Sequence, residues 1–306
     1  MSVFKLDADS TAFFKGELEH IFSKTYDIKY PELRAREFVP VSGEADPGAT
    51  TVTYRQFDRA GKAKIIAGNA KDIPRVEVNG KEFNRPVRWA GIAYGYSLQE
   101  IRASAMTGRN LNSQKAAAAR SAIEEILDTV ACFGSATDGI VSGFLNNSDV
   151  TATGVGAGND WSTLIAGGNA AKIVKQLSDA LGRITSDSKG IELADTILVP
   201  SDQYMLIATT PFGTNSDKTV LDFILANFKM IKMVEPWYRL DGAGPAGVDR
   251  VVVYKRDAMA LTQEITSEFE QLPPQEQGLE MVINCIAATA GTAITYPKSM
   301  QYVDAV

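Results

Sequence analysis

The stretch Ser113-Gln-Lys-Ala-Ala-Ala-Ala-Arg-Ser-Ala-Ile-Glu-Glu-Ile-Leu-Asp-Thr-Val-Ala-Cys-Phe133 constrains the fold more than any other, because a run this long without glycine or proline reads as one helix. Ile123, Ile126, Leu127 and Val130 recur on one face, and Gly134 stands where a left-handed residue commonly ends a helix. An apolar stripe of that length has to be covered by other elements. Ala116 to Ala119 favour helix on propensity alone, and their lack of bulk also lets a neighbouring strand or helix approach closely.

What precedes this helix is extended. Residues 1 to 45 combine a short amphipathic helix, about Ser10 to Lys24, with a Pro-bounded tail from Tyr30 to Pro40 that cannot continue as helix. Thr51–Phe57 and Lys62–Ala67 then read as two strands joined by Asp58-Arg-Ala-Gly61, a hairpin about seven residues deep, or roughly 23 Å. Arg75–Val78 follows, then a turn signal at Asn79-Gly80, and a strand-like stretch through Val87-Arg-Trp89 toward Tyr94. Ser97-Leu-Gln-Glu100 has the form of a capping box and opens a short helix ending near Gly108.

Beyond the long helix, residues 138 to 168 are rich in Gly, Ser, Thr and Asn and read as an elaborate loop. An α/β module comes next: a helix over 169–185 with Ile173, Val174, Leu177, Leu181 and Ile184 inward, a buried strand Thr196–Val199, and a helix over 217–228 with Val220, Leu221, Ile224, Leu225 and Phe228 inward. The end is mostly strand, at Asp249–Tyr254, Leu279–Ala288 and Thr292–Tyr296, the last two divided by a turn around Ala290-Gly291. Helices alternating with antiparallel hairpins imply α+β architecture.

The first hairpin carries unusual charge. From Arg55 to Arg75 there are six basic residues (Arg55, Arg59, Lys62, Lys64, Lys71 and Arg75) against Asp58 and Asp72, in a chain of net charge −6. Such a ribbon could grip a polyanion or another protein. An acidic chain is poorly suited to coating nucleic acid, since counterion displacement needs a basic surface. Tyr54, Phe57 and Arg55 make only a thin base-stacking platform. A two-stranded hairpin is marginally stable alone, and with Val52, Tyr54, Phe57, Ile65 and Ile66 it should lie on something; a neighbouring copy of an acidic protein is the natural electrostatic complement.

Motifs for chemistry are sparse. His20 is the one histidine and falls beside the stripe Phe14, Leu18, Ile21 and Phe22, as a surface residue of an amphipathic helix does. Cys132 and Cys285 are too far apart for zinc-ligand spacing. Gly242-Ala-Gly-Pro-Ala-Gly247 matches a dinucleotide fingerprint, but Pro245 lacks an N–H and a strand follows, whereas the fingerprint needs a helix N-terminus, so it reads as a loop. Glu124-Glu125 reads as a solvated helix face. We therefore expect no enzyme activity, no cofactor and no metal. No run reaches the roughly 18 to 20 apolar residues of a membrane span, and the start lacks secretory features, so a reducing cytoplasm is expected.

The order of parts resembles the major capsid proteins of tailed bacteriophages with the Hong Kong 97 type fold, shared with encapsulin shells, and more narrowly the phage and prophage coat proteins once catalogued as a domain of unknown function. The likeness is carried by Tyr30–Leu33, Phe38–Val41, Pro47–Ala49, Asp58–Ala67, Ser97–Ile101, Leu272–Pro274 and Thr289–Lys298. It implies an N-terminal arm (1–46), an extended loop or E-loop (47–92), a peripheral P-domain (93–149 and 251–306) with the long helix as its spine, and an axial A-domain (150–250). It further implies self-assembly as hexamers and pentamers into an icosahedral shell around double-stranded DNA, held nonspecifically on the inner face, in a virion assembled in the bacterial host cytoplasm. With about 45 residues before the ribbon, the expected scaffold is a separate protein; a portal and a decoration protein are further partners of such shells. An encapsulin-like compartment is the alternative within the fold, and a nucleotide- or nucleic-acid-binding protein the alternative outside it. The six basic ribbon residues are the expected inter-subunit contacts.

Overall fold

The computed structural model describes residues 31–65, 68, 73–107, 114–213 and 217–306. The expected helix over 10–24, His20 and Lys71 lie outside these residues. The elements belong to the unit Leu33–Val306. The first part of the chain gives α1 (Ala35–Phe38), β1 (Val41–Ser42), β2 (Thr51–Ala60), β3 (Glu77–Pro86), β4 (Arg88–Ser97), α2 (Leu98–Thr107) and α3 (Gln114–Phe133). The middle gives β5 (Thr151–Gly154), α4 (Trp161–Ala166), α5 (Ala170–Asp187), β6 (Thr196–Val199), α6 (Ser201–Thr209), α7 (Val220–Asn227) and β7 (Met233–Pro236). The last part gives β8 (Arg250–Tyr254), β9 (Leu261–Gln271), β10 (Gln275–Gln277), β11 (Glu280–Ile294) and β12 (Met300–Asp304). Helices and mostly antiparallel strands thus mix as expected for an α+β chain.

Among the described residues the strands form two sheets and a separate ribbon. One sheet runs β1-β9-β11-β10, with β4 on the other side of β11; the second runs β5-β12-β8-β6-β7; among the described residues β2 and β3 pair only with each other. Helix α3 lies on the first sheet, where Ala119, Ile123 and Leu127 pack against Cys285 and Ala287 with Tyr94, Phe269 and Ile283 beside them. The buried stripe continues through Ala131, whereas Ile126 is 47% exposed. The expected face is therefore rotated, because close approach of strand backbone favours the alanine positions over the bulkier isoleucine. Gly134 ends the helix at φ 72° as expected, and an added Cβ there would sit 2.5 Å from the Ile140 carbonyl oxygen.

The second sheet is covered by α5, whose Ile173, Val174, Leu177, Leu181 and Ile184 are all buried, and by α7 through Val220 and Ile224. Leu225 of α7 is exposed, against expectation. β6 is buried at every residue. A third cluster joins the turn α1 to both sheets: Phe38 packs on Trp237 with ring centroids 4.9 Å apart, and the Tyr254 hydroxyl donates to the Phe38 carbonyl at 2.8 Å. The Tyr30–Pro40 tail is thus not wholly extended; α1 interrupts it with one helical turn held by this packing.

Three strand expectations need correction. β2 does not fold back at Asp58–Gly61 but runs to Ala60 and pairs with β3, from Thr51 opposite Pro86 to Ala60 opposite Glu77. Asn79-Gly80 is accordingly mid-strand, with Gly80 opposite Phe57; a Cβ there would stand 3.1 Å from the Phe57 ring, so glycine is used for close packing and not for a turn. Leu279–Ala288 and Thr292–Tyr296 are largely one strand, β11, which passes Gly291 (φ 74°) by register shifts against β9. Turn-forming residues inside a strand mark bulges when cross-strand packing on both sides outweighs the local preference.

Two local readings hold. The Glu100 amide donates to the Ser97 hydroxyl at 3.2 Å and the Ser97 amide to the Glu100 carboxylate at 2.9 Å, completing the capping box before α2. The Gly242–Gly247 loop leads into strand β8, and the Gly242 amide donates to the Asp249 carboxylate at 3.0 Å.

Candidate inter-subunit surface

The ribbon is built by cross-strand pairs, the unit of sheet stability. One face carries Tyr54 stacked on Phe83, with centroids 4.9 Å apart and planes 10° from parallel. Next to them Val52 stands opposite Arg85. The other face carries the Thr53 hydroxyl donating to Asn84 Oδ1 at 2.8 Å, Arg55 Nε donating to Glu82 Oε1 at 2.8 Å, Phe57 over Gly80, and Arg59 opposite Val78. Ten paired residues on each strand reach roughly 33 Å. Between the strands, Gly61–Ile65 and Ile73–Val76 form no strand, and the connection between β2 and β3 is correspondingly longer than the four-residue loop expected.

The ribbon is held at its base. Val52 packs on the buried cluster Val87, Ala288 and Ala290. Arg85 Nη2 donates to the Ser142 carbonyl at 3.2 Å, and Arg88 Nε donates to the Asp138 carbonyl. Burial pushes the Arg85 guanidinium down from its usual value, with Tyr54 and Glu264 pulling the other way, and it pushes the Tyr54 phenol up. Away from the base the side chains are open: Phe57 is 68% and Ile65 fully exposed, and Ile73, Val76 and Val78 each exceed 60%.

Among the sequence-predicted contact residues, Arg55 is committed to Glu82 across the ribbon. Arg59, Lys62, Lys64 and Arg75 are exposed. The structure brings the basic residues together with Lys81 and Arg85 of β3, so that 51–86 hold eight bases against four acids. This +4 segment belongs to a chain of net charge −6, which leaves −10 for the remainder. What charge counting missed is the apolar half of the surface, Ile73, Val76 and Val78. Its legible signal was the alternation Val76-Glu-Val78, typical of a strand facing a partner.

The polypeptide before the ribbon is clamped by ion pairs. Arg34 meets Glu37 at 2.7 Å and Glu235 at 3.2 Å, and Arg36 meets Glu124 at 3.0 Å and Glu268 at 3.1 Å. Their acids come from four different elements, so the segment entering the ribbon is fixed to the body while the ribbon projects. Among the described residues no group of His, Cys, Asp and Glu could hold a metal ion, and no helix is long and apolar enough to cross a membrane.

No curated protein sequence matches this chain. Solved structures do. A chain of the capsid of Myoviridae phage XM1 superposes with a TM-score of 0.79 at 18% identity, covering 95% of this chain and 98% of that one. A protein of Mycobacterium phage Ogopogo gives 0.61 at 13% identity with 99% of each chain covered. A virus-like particle from Pyrococcus furiosus gives 0.51 at 13% identity, covering 87% and 90%. These likenesses identify the fold as the Hong Kong 97 type of phage capsids. The sequence profile of the family described as "Major capsid protein" matches residues 61–306, and on that match the chain belongs to the major capsid protein family.

Proposed function

We propose that the protein is the shell subunit of a tailed phage, assembling as hexamers and pentamers into an icosahedral capsid around double-stranded DNA. The observation that carries this reading is the ribbon β2–β3: two strands with no third strand or covering layer among the described residues, apolar and basic along most of their length. A two-stranded ribbon is marginal alone, and large exposed apolar surface marks an interaction site. On this reading Arg59, Lys62, Lys64, Lys71 and Arg75 contact a neighbouring subunit, with Arg55 acting through its bond to Glu82 to stiffen the ribbon.

The same reading assigns an N-terminal arm to 1–46, the extended loop to 47–92, a peripheral domain to 93–149 and 251–306, and an axial domain to 150–250. β12 and β8 pair with each other and with β5 and β6, so the peripheral and axial segments share a sheet. A separate scaffold, a portal, a decoration protein and a virion location after assembly in the host cytoplasm complete the proposal, with a structural and not an enzymatic role. An encapsulin-like compartment draws less support, since the matching family is that of major capsid proteins and the XM1 phage capsid chain superposes with a TM-score of 0.79.

Electron microscopy of the purified protein, with and without a co-expressed scaffold, tests the reading. Closed shells of uniform size are expected; a protein that stays monomeric under every condition overturns it.

A further inference from the structure

Strand β4 has one paired edge and one open edge, and the hydrogen bonds around it tell which residues face the open one. In an antiparallel pair the N–H and C=O of a residue point to the same side, and successive residues alternate. The Leu98 amide donates to the Leu279 carbonyl at 2.8 Å, in step with the β4–β11 register, so the even-numbered residues of β4 bond to β11. The odd-numbered ones face away. Three contacts agree: the Val87 amide donates to the Thr50 carbonyl at 2.9 Å, the Ser97 amide to the Glu100 carboxylate at 2.9 Å, and Lys115 Nζ to the Gly95 carbonyl at 2.9 Å. Between these stops, the backbone groups of Trp89, Gly91 and Ala93 and the Gly95 amide have no protein partner among the described residues.

A long open edge invites a further strand, and chains that stay apart guard such edges with lysine, proline, a bulge or a covering loop. From Trp89 to Gly95 there is no lysine or proline, and the strand runs opposite β11 without a register shift. Nor is the edge covered: Gly91 and Ala93 are exposed, Trp89 is 55% and Ile92 38% exposed.

The open stretch is complementary to itself. Set antiparallel to a second β4 about a two-fold axis at Ile92, Trp89 stands opposite Gly95 and Gly91 opposite Ala93. All four face outward, so each pair can exchange both backbone hydrogen bonds, the Gly95 carbonyl accepting a second one beside Lys115. Moving the axis to Gly91 or Ala93 would instead bring in the engaged amide of Val87 or Ser97. In the Ile92 register the indole covers the backbone that Gly95 leaves bare. Glu280 lies over Gly95, where an added Cβ would fall 2.1 Å from its Oε1, and gives the indole N–H an acceptor. We propose that β4 pairs antiparallel with the β4 of a second copy, centred on Ile92, joining the two β1-β9-β11-β10 sheets into one. This rests on the reading of the protein as a self-assembling subunit and adds a contact that the ribbon does not make.

Two measurements test it. Amide exchange of the wild-type chain, read residue by residue, is expected to be fast at Trp89, Gly91, Ala93 and Gly95 in the unassembled protein and slower by about a hundredfold or more in assembled shells. Unchanged exchange at these amides overturns the proposal. Cysteine crosslinking identifies the partner. The two copies of Ile92 form a pair without mutual hydrogen bonds, with Cα atoms about 4.5 Å apart and within disulfide reach. Cys285 stands directly opposite Ile92 on β11, so the variant is I92C/C285A, with A90C/C285A as the control because Ala90 faces Tyr94 in this register. Shells of I92C/C285A under mild oxidation are expected to give covalent dimers on denaturing gels, and control shells monomers. Shells that give no dimer, or equal dimer in both variants, overturn the pairing and leave the shell reading intact; a wild-type protein that never assembles removes the reading on which the pairing rests. Should I92C/C285A fail to fold, the exchange measurement, which needs no variant, decides alone.

Discussion

The backbone N–H of Ala35 donates to Oδ1 of Asp128 at 2.9 Å, tying the turn that enters the ribbon to a buried carboxylate of the long helix. The second oxygen of Asp128 meets Arg239 at 3.0 Å. One side chain therefore joins three segments far apart in sequence. Removing it in D128A leaves a buried amide without a partner and a mostly buried guanidinium with the Thr129 hydroxyl as its remaining hydrogen-bond acceptor, for an expected loss of about 2–4 kcal/mol. D128N keeps an oxygen for Ala35 and should lose less. Urea denaturation of the unassembled protein checks both, and an unchanged midpoint for D128A refutes the role.

The same carboxyl gives a pH dependence of defined sign. Burial raises its pKa above the usual Asp value, outweighing the opposing pull of Ala35 and Arg239. The folded chain then holds this proton more tightly than the unfolded chain does. The resulting stabilisation is complete below the ordinary carboxylate value and is lost as pH rises through the raised one. Measured from about pH 3 to pH 6, the stability of wild type relative to D128N should decline. A flat or rising difference contradicts it.

Arg250 and Asp304 form a buried two-point pair, Nε to Oδ1 at 2.6 Å and Nη2 to Oδ2 at 2.9 Å, with the guanidinium 4.3 Å above the Tyr302 ring. Arg250 Nη1 also donates to the Leu145 carbonyl. D304A strands a buried cation and should cost roughly 3–5 kcal/mol, whereas R250M/D304L, which removes both charges, should cost less than D304A alone. Melting temperatures of the two variants decide the order.

Gly134 and Gly143 sit where backbone passes backbone. A Cβ at Gly143 would lie 2.5 Å from atoms of Cys132 and Phe133, and one at Gly134 would combine a similar clash with a left-handed backbone. G134A and G143A should each lower stability by about 3 kcal/mol or more. Wild-type soluble yield and melting temperature for either would show that the loop after α3 yields more readily than its packing implies.

The Tyr54–Phe83 stack stiffens a part of the molecule that contributes little to the core. Y54A is expected to change the melting temperature of the unassembled chain little, by less than about 1 kcal/mol equivalent, yet to raise amide exchange along β2 and β3 and reduce shell yield. Unaltered exchange in the ribbon would separate the stack from its rigidity.

Features with local causes were legible from the residues alone. The stripe of α5, the fully buried β6, the Ser97–Glu100 box and the stop at Gly134 depend on periodicity and end chemistry within a few residues. The charge of the ribbon was legible too, but its geometry was not. Asp58–Gly61 and Asn79-Gly80 both carry turn chemistry, and only the contacts of Tyr54 with Phe83 and Arg55 with Glu82 select a register in which neither turns the chain. Ile126 followed the helical stripe and still faces out, because the sheet beneath α3 approaches at its alanines.

The amino-acid sequence by itself determined the long helices α3 and α5, the buried strand β6, the capping box before α2 and the basic charge of the segment that becomes the ribbon. The tertiary structure alone decided that β2 pairs with β3 at full length, that β11 runs through Gly291, and that α3 meets its sheet at the alanines. Those outcomes depend on partners tens to hundreds of residues away. Their energies come from cross-strand packing and burial, which no window of local sequence contains.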